Sequence, residues 1–183
     1  MRITGGKYVR RQIKCPPGII RPAMDRMRES LFSILGDLSG YSFLDLFAGS
    51  GIMSLEAASR GAYPILAIEK DIKKKRVILE NFLICEKPIE IRFTSAEKYI
   101  LKSKKTFDVI YLDPPFDFKN KQKLLSSLGK SPLIHDESRV IIHVPREDKL
   151  NSEVGPLTNT DLRKYGGSWL YFYHVRSCEE GSL

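Results

Sequence analysis

Asp113-Pro114-Pro115-Phe116 directly follows the apolar run 107–112. Consecutive prolines offer no backbone N–H and keep both carbonyls, so a loop built on them sets acceptors beside one carboxylate and one aromatic face. Such a loop suits a flat ring carrying an exocyclic amine. The ring would stack on Phe116 while its N–H groups bond to Asp113 and the Pro114 carbonyl. Asp-Pro-Pro is also an ordinary rigid strand-to-loop turn, so its meaning depends on what stands beside it.

A second loop, Asp45-Leu46-Phe47-Ala48-Gly49-Ser50-Gly51, joins a strand-like run to a helix-like one. Gly49 and Gly51 let the backbone turn tightly and approach a ligand. A dinucleotide site would continue to a third glycine and hold a pyrophosphate. Here Ser54 takes that place, and Asp45 is expected to repel phosphate and accept from an ammonium group. The ligand expected is a nucleoside bearing an amino acid. Glu69, 24 residues beyond Asp45, ends the next strand, where an acid accepts ribose hydroxyls, with Lys70 beside it. Ser95 and Ala96 follow the third strand, where an adenine edge is expected.

These loops need elements to carry them. Short apolar runs at 43–47, 65–68, 89–94, 107–112 and 140–144 read as strands. Amphipathic segments at 52–60, 72–85, 96–101 and 119–128 read as helices between them. Alternation of this kind implies an α/β fold with a doubly wound, mostly parallel sheet, whose ligands gather at the carboxyl ends of the strands. All four motif positions fall on that rim. The runs 161–165 and 169–175, joined through Gly166-Gly167, read as antiparallel C-terminal edge strands. A helix is expected from Asp25, with Met27, Leu31, Ile34, Leu35 and Leu38 on one face. Before it, residues 2–3 and 9–13 read as a small basic β-hairpin broken at Cys15-Pro16-Pro17-Gly18. The expected organisation is a basic 1–20 extension followed by a 21–183 α/β domain.

At 183 residues, 42% of them hydrophobic and 28% charged, the chain has the composition of one globular domain. It holds no apolar run of the roughly 18 residues that span a bilayer, and its start lacks the apolar core of a signal peptide, so a cytoplasmic location is expected. Cys15, Cys85 and Cys178 are too scattered for a disulfide framework or a zinc site, and no metal is expected. The net charge of +8 is concentrated. Residues 1–28 carry eight Lys and Arg against Asp25 alone. Clustered positive charge is the footprint of a polyanion, nucleic acid before membrane. Lys7, Arg10, Arg11, Arg21, Arg26 and Arg28 are the candidates for phosphate contact.

Taken together, the strand-end motifs resemble the Rossmann-like class I S-adenosylmethionine-dependent methyltransferases. Asp-Pro-Pro-Phe is similar to the motif of enzymes that methylate exocyclic base amines. The stretch from Arg21-Pro22-Ala23-Met24-Asp25-Arg26 to Phe32, the Asp-Leu-Phe-Ala-Gly-Ser-Gly loop followed by 55–61, and Phe107 to Phe116 resemble the RsmD family, small-subunit (16S) ribosomal RNA guanine-N2 methyltransferases. That resemblance implies S-adenosylmethionine as cofactor. Asp45, Phe47, Ala48, Gly49 and Gly51 would lie at its methionine end, Glu69 and Lys70 at the ribose, Ser95 and Ala96 at the adenine. It implies Asp113, Pro114, Pro115 and Phe116 as the catalytic loop. The partner would be ribosomal RNA, free or in an assembling small subunit, met by a monomer. Two departures stand out: Ser95 where members commonly carry Asp, and Ala23 where they commonly carry Thr.

An acceptor-only carboxylate suits guanine, whose N1–H and N2–H₂ are adjacent donors, better than adenine. Adenine-N6 methylation of DNA or RNA stays open, as does a non-catalytic RNA-binding assembly factor. A nicotinamide-dependent dehydrogenase is disfavoured by Ser54, and His135, His143 and His174 read as ordinary strand or loop histidines.

Overall fold

The computed structural model describes residues 1–15 and 22–176, the side chains of 22–24 excepted; Arg21, Pro16-Pro17-Gly18 and Cys178 lie outside the described residues. Five strands form the parallel part of the sheet: β1 (Phe43–Asp45), β2 (Ile65–Glu69), β3 (Glu90–Phe93), β4 (Val109–Leu112) and β5 (Arg139–Pro145). Three more, β6 (Glu153–Val154), β7 (Leu157–Tyr165) and β8 (Ser168–Val175), complete an eight-stranded sheet ordered β3-β2-β1-β4-β5-β8-β7-β6. The first five are mutually parallel and the last three are added antiparallel at the β5 edge. This is the doubly wound α/β arrangement with antiparallel C-terminal strands expected from the sequence.

The strand residues alternate between two buried faces, as a sheet covered by helices on both sides requires. Phe43, Ile65, Ala67, Val109, Tyr111 and Ile141 pack on one side with residues of α1 (Pro22–Leu35), α2 (Ile52–Ser59) and α3 (Lys75–Phe82). Leu44, Leu66, Ile68, Ile110, Leu112, Val140 and Ile142 pack on the other with α4 (Ala96–Lys102) and α5 (Lys121–Gly129). Odd-numbered residues of β1, β4 and β5 therefore share the α1/α2 face. That parity decides which side chains meet at the rim.

Three local expectations are corrected. Helix α1 begins at Pro22, because proline's fixed φ and missing N–H suit a first helical turn; Asp25 stands inside that turn rather than capping it. Strand β7 begins at Leu157 and crosses a bulge between Asn159 and Asp161 that breaks the alternation, and its partner β6 is only two residues long. The N-terminal segment is not a strand pair. It folds back with a single bridge, Arg2 to Gln12, flanked by Ile3 N–H to Arg11 O at 3.0 Å and Ile13 N–H to Met1 O at 2.9 Å.

Side chains and close contacts anchor that segment instead. Ile3 and Ile13 are buried in the α1/α2 side of the core. Lys7 N–H donates to Ser59 O at 2.7 Å and Tyr8 N–H to Ser59 Oγ at 2.8 Å. Gly6, at φ +75°, runs so close to α2 that a Cβ would stand 2.0 Å from Ser59 O. Among the described residues no helix is long and apolar enough to cross a membrane.

Candidate active site

The carboxyl ends of β1, β2 and β4 open into a cleft of about 470 Å³. Phe47, Gly49, Glu69, Lys70, Ala96 and the whole of Asp113-Pro114-Pro115-Phe116 line it, with Leu46, Asp71, Lys74, Glu97 and Phe118. Residues drawn from four separate loops thus meet in one place. A hollow of about 520 Å³ beside Gly6, Phe32 and Arg60 lies away from this rim and is open to solvent.

Glu69 ties two of the loops together. Its Oε2 accepts from Gly49 N–H at 2.9 Å and Lys74 Nζ at 3.3 Å, and its Oε1 accepts from Asp71 N–H at 2.8 Å. A carboxylate has about four lone-pair sites, so Oε1 keeps room for a further donor from the cleft. Gly51 stands below the cleft as the N-cap of α2 with φ 82°, where a Cβ would meet the Phe82 ring at 2.4 Å. Ala48 is buried. Ser95 caps α4, accepting from Lys98 N–H at 3.3 Å, so Ala96 alone of that pair faces the cleft.

Asp45 is corrected more strongly. It is 0% exposed and does not line the cleft; its carboxylate turns inward under the loop, accepting from Ser54 Oγ at 2.9 Å and Phe47 N–H at 3.4 Å. Burial pushes its pKa up to about 7, the Ser54 and Phe47 hydrogen bonds oppose that rise, and the Asp113 and Glu69 charges add to it. The expected ammonium acceptor is a buried group beneath the site. Next to it, burial first and the Asp113 and Asp45 charges second hold the Tyr111 phenol well above its ordinary value.

The Asp-Pro-Pro-Phe loop is gripped from three sides. From β5, His143 Nδ1 lies 2.8 Å from Asp113 Oδ1, and its ring meets Phe116 edge-on with centroids 5.8 Å apart. From α5, Lys121 Nζ donates to Phe116 O at 2.9 Å and Phe118 O at 2.7 Å while paired with Asp148 at 2.8 Å. From the β1 loop, Phe47 packs edge-to-face on Phe118 with centroids 6.0 Å apart. Phe116 itself stays 39% exposed at the cleft. His143 and Lys121 were not expected. Register held the signal for the first: Leu112 pairs with Ile142, so the next residues, Asp113 and His143, share a side.

Lys121 is buried and its ammonium has three acceptors, so replacing it with methionine leaves two carbonyls and Asp148 without their donor. Lys121→Met is expected to lower stability by about 2–3 kcal/mol. Urea unfolding of the two proteins measures it.

Among the phosphate-contact candidates, Arg10, Arg11 and Arg26 are exposed, and Lys7 is exposed but paired with Glu86 at 2.6 Å. Arg28 is corrected. It is 2% exposed, with Nε donating to Glu56 Oε1 at 2.8 Å and Nη2 to Arg2 O at 2.9 Å, and Asp25 pairs with it at 3.0 Å. Glu56 also accepts from Thr4 N–H at 2.9 Å and pairs with Arg60. A guanidinium so enclosed cannot reach a phosphate; it fastens the N-terminal segment to α1 and α2.

The family model described as conserved hypothetical protein 95 matches residues 1–174. YlbH of Bacillus subtilis, named as a proposed rRNA methyltransferase, is 30% identical over 183 residues, covering 96% of this chain and 100% of that protein. Ribosomal RNA small subunit methyltransferase D of Escherichia coli is 29% identical over 154 residues, covering 82% of this chain and 77% of that one. The solved structure of yhhF from Escherichia coli superposes with a TM-score of 0.86 at 26% identity, covering 97% of this chain and 98% of that one.

Proposed function

The chain belongs to the conserved hypothetical protein 95 family, the RsmD family its motifs resemble, and from that premise we propose that it transfers a methyl group from S-adenosylmethionine to the N2 amine of a guanine in small-subunit ribosomal RNA. The observation that carries the reading is the meeting of Asp113-Pro114-Pro115-Phe116 with Gly49, Glu69 and Ala96 around one cleft. An acceptor loop for an amine and a glycine turn for a nucleoside serve one reaction only when they share a wall.

The residues present fit the cofactor. Gly49 brings backbone to the cleft without a side chain, Glu69 keeps a lone pair for a hydroxyl, and Ala96 leaves space for a flat base at the third strand end. When bound, S-adenosylmethionine supplies an electrophilic methyl on a sulfonium. The chain's own residues handle the other reactant. A guanine N2 lone pair is delocalised into the ring and nucleophilically poor, so orientation carries much of the burden. Asp113 and the Pro114 carbonyl accept the two N2 hydrogens, which aims the lone pair and stabilises the positive charge growing on nitrogen. Phe116 stacks the base, worth roughly 1–3 kcal/mol. Once the amine is methylated, the proton it sheds would pass through its hydrogen bond to Asp113 and on to solvent.

A paired guanine hides this amine in the minor groove, so the target is unpaired or flipped. Arg10, Arg11 and Arg26 are the exposed cations proposed to meet RNA phosphates. We take the enzyme to be a cytoplasmic monomer acting on rRNA or on an assembling small subunit. Incubation with S-adenosylmethionine and small-subunit rRNA, both free and within assembling small subunits, followed by mass mapping of nucleosides, is expected to yield N2-methylguanosine in at least one of the two. N6-methyladenosine alone would overturn the choice of base, and an absence of any methylated nucleoside would overturn the reading.

A further inference from the structure

His143 is 1% exposed and does not line the cleft, yet it is a polar side chain directly behind the lining residues, with one nitrogen on Asp113 and no hydrogen-bond partner for the other, Nε2. Buried polar groups are ordinarily satisfied, so this arrangement has a cost that simple packing does not explain. An apolar residue would fill the same place on β5, whose neighbours Ile142 and Val144 are also buried.

An ionised carboxylate only accepts, which fixes the imidazole's role: Nδ1 carries the proton and donates it to Asp113 Oδ1. A donor from a strand residue fixes the carboxylate plane. Without it, the Asp113 side chain would turn freely about its terminal bond, which has no sharp staggered wells. The same ring packs its edge against Phe116, the other functional end of the motif. One side chain thus touches both the acceptor and the stacking group of the loop, while the prolines between them line the cleft.

We propose that His143 is a positioning residue for methyl transfer: its Nδ1–H locks Asp113 in the orientation that receives the target amine. The inference rests on the function proposed above. His143 touches neither the base nor the cofactor, and its effect passes through the orientation of Asp113. Loss of that hydrogen bond leaves cofactor binding intact and lowers turnover, because a freely turning acceptor no longer holds the amine's lone pair in line.

Turnover is compared for wild type, His143→Phe and His143→Asn on small-subunit rRNA, free and within assembling small subunits. S-adenosylmethionine affinity is measured by calorimetry and folding by thermal melting. The Phe variant keeps a ring edge for Phe116 but has no donor; the Asn variant can place an amide N–H near the Nδ1 position. His143→Phe is expected to lose about 10- to 100-fold in kcat with cofactor Kd unchanged, and His143→Asn to recover most of it. Wild-type kcat in the Phe variant overturns the proposal, and so does an Asn variant as slow as the Phe one. If the Phe variant does not fold, the amide pair decides: Asn should stay fast and Gln, whose donor lies at the Nε2 position, should be slow, and equal rates overturn the proposal. Absence of N2-methylguanosine from the wild-type reaction overturns the proposed function and this inference with it, which separates that failure from a failure of His143 alone.

Discussion

Asp113→Ala is expected to lower kcat for methylation by about 10²–10³-fold, the usual effect of deleting one preorganised electrostatic partner of a transition state. The carboxylate lines the cleft and is held by His143, and in the proposed reaction it is one of two acceptors for the amine. S-adenosylmethionine affinity should change little, since the amine is held by the opposite side of the site. Asp113→Asn is expected to fall between the two, because its amide keeps one acceptor oxygen and turns a donor toward the amine. Single-turnover methylation of small-subunit rRNA, with cofactor binding measured separately, gives both numbers. Near wild-type turnover in the alanine variant would remove Asp113 from the mechanism.

The rim of this sheet was legible because each parallel strand announces itself locally. Apolar runs such as Val109-Ile110-Tyr111-Leu112 end abruptly in Gly, Pro or an acid, and each ending is a loop with its own chemistry. What escaped were the groups whose meaning lies across the fold. Arg28 looks like one more cation of a basic segment until its spacing is followed: Leu31, Phe32 and Leu35 lie three, four and seven residues on, so it shares their buried stripe. The partner that makes its burial tolerable, Glu56, is on a different helix. Lys121 and Asp148 repeat the lesson around the Asp-Pro-Pro-Phe loop. Charge pairing across long separations leaves no local periodicity, and a buried ion reads as a surface one.

Asp45 was legible as important but not in its role, and its stability signature follows from its burial. Its folded pKa of about 7 stands above the ordinary 3.8, chiefly because burial disfavours the charged form. The folded protein therefore keeps a proton that the unfolded chain has already released. The sign follows from that: this site's contribution is fully present below pH 3.8, declines as pH rises, and is lost once the pH passes about 7. Its size, at 1.36 kcal/mol per pKa unit, is about 4 kcal/mol as an order of magnitude. Asp45→Asn removes the titration and keeps a polar group that Ser54, whose hydroxyl can rotate to accept, still satisfies. Relative to wild type, the variant is therefore expected to gain about 4 kcal/mol between pH 4 and pH 8. Urea unfolding of both proteins across that range cancels the titrating groups not coupled to Asp45, leaving its own titration with the smaller contributions of Asp113 and Glu69. A difference that stays flat with pH would show that Asp45 keeps its charge beneath the glycine loop, and the inward-turned carboxylate would then need a cation that the present partners do not supply.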